Sequence, residues 1–128
     1  MSTGYAEALE PDECRRLLAS RRVARVAFVT GDDVVVLPVS YVLDDRGVLV
    51  FSTSSRGMLG RLVGDVRVSV QLDDVEEDLQ NGWSVLGVGR ADRYEGSAVP
   101  APWVPGHDDL RIGVTIETLT GRAGSVGE

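Results

Sequence analysis

Few side chains in this sequence are equipped for acid–base or nucleophilic chemistry, and two of the most reactive types occur only once. Cys14 is the sole cysteine, His107 the sole histidine, and all 13 basic residues are arginine. A Ser–His–Asp arrangement would have to use His107, and a zinc site would lack its usual ligands. Without lysine there is no Schiff-base chemistry and no lysine-held phosphate. Cys14 cannot form an internal disulfide. It lies on an apolar helical stripe, where it reads as a small buried hydrophobe rather than a nucleophile. His107, beside Asp108 and Asp109, reads as a solvated loop residue. The acidic run Asp73, Asp74, Glu76, Glu77 and Asp78 lacks the glycine and the alternating ligands of a calcium loop, so it reads as a solvated loop and no metal site is expected.

The pattern that points to a ligand is of another kind. Gly82-Trp83-Ser84-Val85-Leu86-Gly87-Val88-Gly89-Arg90-Ala91 reads as a strand, yet it carries three glycines and a tryptophan. Glycine weakens a strand unless something approaches its backbone closely. Trp83 offers a flat face and one N–H donor. The combination implies a strand passing either a planar ligand or another backbone, and a core or subunit-interface role accounts for Trp83 equally well. Trp103, between Pro102 and Pro105, reads as a loop anchor, with a lid over a cleft as the alternative.

Net charge is −7 over 128 residues. That argues against a nucleic-acid partner, because phosphate neutralisation needs clustered cations. No apolar run reaches membrane-spanning length and no signal-peptide pattern opens the chain, so a cytoplasmic protein without a membrane partner is expected. The length suits a single domain over residues 1–128. Hydrophobic residues make up 43% and aromatics only 5%, with valine abundant, which favours β structure.

The elements that must position these residues follow in order. Residues 1–10 and 123–128 read as loose tails. Pro11, with Asp12 and Glu13 in the first turn, starts a helix whose stripe is Cys14, Leu17 and Leu18, and Arg21-Arg22 complement its C-terminal dipole. Strands are expected at 23–30, 34–43 and 48–53, with turns at Gly31-Asp32-Asp33 and Asp44-Asp45-Arg46-Gly47. Pro38 marks an edge, bulge or bend. Residues 54–64 read as a short helix, with Met58, Leu59, Leu62 and Val63 inward. Strands at 66–72, 83–94 and 111–118 complete a closed or nearly closed antiparallel barrel of six strands.

In this order the chain resembles the flavin-binding split-barrel proteins related to pyridoxamine 5′-phosphate oxidase, and most of all their short actinobacterial branch. The pieces that carry the resemblance are Glu13-Cys14-Arg15-Arg16-Leu17-Leu18, Arg25-Val26-Ala27, Leu37-Pro38-Val39-Ser40-Tyr41, Val50-Phe51-Ser52-Thr53, Gly82-Trp83-Ser84-Val85 with Gly89-Arg90-Ala91, and Pro102-Trp103 through Thr120-Gly121-Arg122. It implies a six-stranded split β-barrel that forms a homodimer and binds flavin mononucleotide (FMN) in clefts between the subunits. Pro38, Val39, Ser40 and Tyr41 would flank the isoalloxazine. Ser52, Thr53, Ser54, Ser55 and Arg56 would meet the phosphate, and Trp83 and Ser84 would reach across the interface. The activity implied is that of an FMN-dependent oxidoreductase acting on a small organic substrate.

The chain departs from the family pattern at the phosphate. Ser52 stands where the family usually has Arg, and Met58 where it usually has Lys. Each charge-assisted hydrogen bond contributes about 1.5–3 kcal/mol, so losing two weakens FMN binding unless Arg56, the serine hydroxyls and backbone N–H groups at the start of the 54–64 helix compensate. The resemblance therefore leaves open a split barrel that has lost flavin and binds another small molecule, as a carrier, a sensor or a cofactor-free enzyme of secondary metabolism. The deazaflavin coenzyme and haem, with His107 as ligand, are the other cofactors open to it. The chain ends soon after Gly121-Arg122, where pyridoxamine 5′-phosphate oxidase carries further substrate-binding chain, so vitamin B6 metabolism is not expected.

Overall fold

Strict alternation of apolar and polar residues fixes which face of each strand is buried. In a computed structural model, which describes residues 3–78, 80–101 and 108–127, that alternation produces seven antiparallel strands, one helix and one short 3-10 turn. The elements are β1 (Thr3–Ala8), α1 (Pro11–Ser20), β2 (Val23–Thr30), β3 (Asp33–Leu43), β4 (Leu49–Thr53), the 3-10 turn Met58–Arg61, β5 (Val66–Glu76), β6 (Asn81–Arg93) and β7 (Leu110–Gly127). Ala24, Val26 and Phe28 of β2 and Val68, Val70 and Leu72 of β5 are buried, as their spacing predicts. They meet Leu49 and Phe51 of β4, Val85 of β6 and Ile112 and Val114 of β7 in one core. No helix among the described residues is long and apolar enough to cross a membrane.

The pairings run from β7 through β4, β3, β2, β5 and β6, and β6 pairs again with β7. The long strand β7 makes this possible. One of its edges holds β6 from Ile112 to Ser125. The other holds β4 at Leu110–Val114 and β1 at Arg122–Gly127.

Several expectations are corrected here. The sheet has seven strands rather than six, because the two ends expected as loose tails pair with each other: Thr3 stands opposite Gly127 and Ala8 opposite Arg122. The expected helix at 54–64 is a turn at Ser54–Gly57 followed by the 3-10 turn. Gly60 packs so tightly there that a Cβ would lie 2.7 Å or less from the carbonyl oxygens of Ser54 and Ser55. Leu62 is fully buried and Leu59 packs on the core, whereas Met58 and Val63 are exposed. The acidic stretch is half strand: Asp73–Glu76 continue β5 and pair with Asn81–Ser84.

α1 starts as predicted, with Pro11 in its first turn followed by Asp12 and Glu13. Cys14 and Leu18 are buried. Burial pushes the Cys14 thiol up, which suits a packed rather than a reactive sulfur. The helix lies against β7 at Gly121, where an added Cβ would meet the Cys14 sulfur at 2.9 Å. Leu9 N–H donates to the Gly121 carbonyl at 2.9 Å. Arg21 is the C-cap of α1 and Arg22 follows it, so both cations stand just beyond the last turn rather than within it.

The glycines of β6 have their explanation within the chain. A Cβ on Gly82 would sit 2.7 Å from the Asp74 carbonyl oxygen, one on Gly87 2.9 Å from a Val70 methyl, and one on Gly89 1.9 Å from the Thr115 carbonyl oxygen. Gly89 lies at a register shift between β6 and β7, where the backbones come closest. Of the two readings of this strand, a close neighbouring backbone accounts for Gly82 and Gly89. Gly89→Ala is expected to cost about 1–3 kcal/mol through overpacking against backbone. Thermal or urea unfolding checks this, and an unchanged midpoint would show that the bulge relaxes freely.

Candidate functional site

β3 changes neighbour along its length. It pairs with β2 from Asp33 to Ser40, but with β4 only at Tyr41, Val42 and Leu43. The β3–β4 ladder ends at the Tyr41–Phe51 pair, so Ser40 and Ser52 stand at the two lips of its open end. Pro38, which donates no N–H, lies in the part paired with β2 alone, as its chemistry requires. The candidates on β3 and those at the end of β4 thus lie on the two strands that flank this end.

Alternation divides the Pro38–Tyr41 quartet. Pro38 is exposed and Ser40 half-buried on the outer face, whereas Val39 and Tyr41 are buried on the inner one. The Tyr41 hydroxyl donates to the Leu18 carbonyl at 2.5 Å. That carbonyl is in the last turn of α1, where intrahelical partners run out. Tyr41 is committed to holding α1 on the sheet.

Beside Pro38 lies an open cleft of about 500 Å³, lined by Arg21, Arg22, Arg25, Leu72, Asp73 and Asp74 among others. The Arg21 guanidinium lies over the Trp83 ring, 5.2 Å from its centroid, and donates to Asp74 at 2.9 Å. Arg25 bonds Gln71 and lies 3.6 Å from Asp73. These exposed pairs orient side chains more than they stabilise the fold. Trp83 is half-buried and packs on the core, and Ser84, on the opposite face, pairs with Arg122 across the sheet.

The other lip is polar. Thr53 is buried, Ser52 and Ser54 are half-buried, and Ser55 and Arg56 are exposed. The Ser54 hydroxyl accepts from Arg56 N–H at 3.2 Å, and its carbonyl accepts from Gly57 N–H at 3.1 Å. Ser55 is engaged twice by one partner: its N–H donates to one carboxylate oxygen of Asp109 and its hydroxyl to the other, both at 2.7 Å. Those two hydrogen bonds, with the charge of Arg56, hold the Asp109 carboxyl below its usual range.

Two site residues escaped the sequence reading. Asp109 figured there only as a neighbour of His107. Arg111 was not considered as a site residue, although it is the cross-strand partner of Ser52, where the family usually carries an arginine. Its guanidinium turns away, donating to the Ala98 carbonyl at 2.6 Å and lying over the Tyr94 ring at 5.1 Å. The usable signal was position: both stand at the start of a strand that pairs beside the segment expected to meet a phosphate. Trp103 and His107 lie outside the described residues.

Comparison with known proteins bears on these features. The family model described as pyridoxamine 5′-phosphate oxidase matches residues 10–123. No curated protein matches the chain. Among solved structures, one from Corynebacterium glutamicum, titled for pyridoxamine 5′-phosphate oxidase, is similar at 21% identity, with 96% of each chain covered and a TM-score of 0.79. A FAD-binding protein from Mycobacterium smegmatis is similar at 22% identity over 93% of this chain and 98% of that one, with a TM-score of 0.75. A heme-binding protein from the same organism is similar at 23% identity over 87% of this chain and 54% of that one, with a TM-score of 0.67.

The role assigned to Tyr41 has a pH signature. Burial pushes its phenol from 10.0 up to about 12. A folded-state value above the unfolded one means that its contribution is fully present below pH 10 and is lost as pH rises toward 12. Tyr41→Phe is expected to cost about 1 kcal/mol at neutral pH. It should also remove this part of the alkaline loss of stability. Urea unfolding across a pH series checks both, and an unchanged neutral-pH stability would release Tyr41 from the structural role.

Proposed function

The chain belongs to the pyridoxamine 5′-phosphate oxidase family, and from that premise we propose that it is a flavin-dependent oxidoreductase acting as a homodimer on a small organic substrate. In this reading β2–β7 form the split barrel and β1 is a strand added to it. The observation that carries the reading is the family match over residues 10–123, most of the described fold. The names of similar structures, for FAD in one case and heme in another, support a flat conjugated ligand.

The outer face of β2 and β3 supplies a place for the second subunit. Val29 pairs with Val34 and Ala27 with Val36, and these rows continue to Pro38. Val34 and Val36 of β3 are 75% and 56% exposed and Val29 of β2 is 64% exposed beside them, and among the described residues the other edge of β3 has no strand partner from Asp33 to Ser40. A long edge strand with an apolar face is a template for association. In this reading a second copy docks there, and Trp83 and Ser84 reach across the interface as the family resemblance implies.

The residues fit a flavin unevenly. Pro38 and Ser40 present an exposed apolar and hydroxyl surface suited to the edge of a ring. The phosphate side offers the Ser54 and Ser55 hydroxyls, Thr53 and Arg56, with Ser52 and Met58 in place of two cations. A bound flavin supplies the hydride chemistry, and the protein supplies orientation and hydrogen bonds. Tyr41 is committed to α1, so the chain's own part is to hold the ring and exclude water rather than to move protons.

A second reading is favoured by one observation: the anion-binding groups of Ser55 already hold Asp109. A relative that had lost flavin and used the cleft for another small molecule would look like this.

Two measurements test the proposal. Purified protein is expected to be yellow and to release flavin at close to one per subunit. Colourless protein that takes up neither FMN nor FAD favours the second reading. Val36→Glu is expected to leave monomer stability within about 0.5 kcal/mol, as for a surface substitution, while converting dimer to monomer in light scattering and abolishing flavin uptake. A wild-type chain that is monomeric in solution would sink the interfacial site.

A further inference from the structure

We propose that Asp109 is an internal anion seated where the ligand's phosphate is expected, and that it sets ligand choice against a terminal phosphate. The inference rests on the flavin reading above for the identity of the ligand, but not for the geometry of the seat.

The seat is defined by what Asp109 already uses. Ser55 has one backbone N–H and one hydroxyl proton, and both point at the Asp109 carboxylate at 2.7 Å. These are the donors that an anionic oxygen would take, and short bonds from such donors to a charged acceptor are the strong kind. Arg56 is the cation whose charge acts on Asp109. Arg111, the cross-strand neighbour of Ser52, is bound to the Ala98 carbonyl and the Tyr94 ring. A phosphate monoester entering this turn must therefore displace a carboxylate from the same two donors, or share one arginine with it at close range. Like charges a few ångströms apart repel.

The register holds Asp109 in place. It immediately precedes β7, whose first residue, Leu110, pairs with Thr53, while Ser55 lies two residues beyond Thr53 on the other side of that pair. The contact is built where the chain leaves the β4–β7 ladder, so it forms whenever the ladder forms. Asp109 thereby acts as a specificity-determining residue. A ligand whose phosphate is absent, or lies elsewhere than this turn, is not penalised, and a ligand ending in a phosphate dianion is.

The test uses the full chain and its Asp109→Asn variant, which keeps an acceptor for Ser55 while removing the charge. Affinity is measured for FMN and for riboflavin, the same ring without phosphate. The wild type is expected to bind the two within about threefold of each other, and Asp109→Asn to bind FMN about tenfold tighter with riboflavin unchanged, a difference of about 1.4 kcal/mol. Adding Ser55→Ala to Asp109→Asn should abolish the gain. Inorganic phosphate, as a probe independent of flavin, should raise the melting temperature of Asp109→Asn and leave that of the wild type unmoved. Flavin binding with the same FMN-to-riboflavin ratio in both proteins overturns this inference and leaves the flavin reading standing. Phosphate stabilisation confined to Asp109→Asn, with no flavin bound by either protein, overturns the flavin reading and leaves the seat. No response to phosphate and no flavin binding in either protein overturn both.

Discussion

Everything in this fold is arranged around the two edges of one strand. β7 runs from Leu110 to Gly127, long enough to be shared. β6 takes one edge nearly end to end. The other edge is divided, with β4 at the start, the Leu9 N–H on the Gly121 carbonyl, and β1 at the far end. Backbone N–H and C=O groups buried without partners are costly, so a strand of this length needs neighbours along both sides. Gly89 and Gly121 are where that demand meets sterics: each lets another part of the chain approach β7 at a distance no side chain would allow.

This division also decides where a ligand can enter. β4 contributes only five strand residues, and β3 stays with it for three of them. β3 pairs with β2 for the other eight residues, carrying Val34 and Val36 on the outer face. The open end of the ladder at Ser40 and Ser52 is the consequence of a short β4 beside a long β3. The candidate site is therefore a property of strand lengths before it is a property of side chains.

Much of this was legible in the sequence where one face of a strand is buried. The alternation in Val66–Leu72 and Val23–Phe28 specified both strand and facing, because a shift of one residue would bury Arg67 or Arg25. Pro38 announced an edge. What was not legible depends on distant partners. Thr3–Ala8 and Ala123–Gly127 have weak local preferences and become strands only because each is the other's neighbour, and Asp73–Glu76 look like a solvated loop until they pair with Asn81–Ser84. The site was legible in part. Family likeness grouped Pro38, Val39, Ser40 and Tyr41 as one wall, but a period of two cannot put all four on one face. Trp83 was singled out for its ring, yet its nearest charged companion, Arg21, comes from the end of α1, where local reading had assigned it to the helix dipole.

The phosphate side shows how a loss and an occupancy differ. Replacing Arg by Ser and Lys by Met removes attraction and leaves donors unsatisfied. An N–H and a hydroxyl that point at nothing are a cost in the ligand-free protein, though water can relieve it. A carboxylate supplied from just before β7 satisfies both donors, and it does so in a chain that already carries seven excess negative charges. Once the seat is filled from within, restoring a cation at position 52 or 58 would strengthen the hold on Asp109 as well as on an incoming phosphate, because both anions answer to the same field. The cations and Asp109 therefore form one coupled system, in which a restored charge is divided between the carboxylate and the phosphate, and removing the carboxylate leaves all of it to the phosphate.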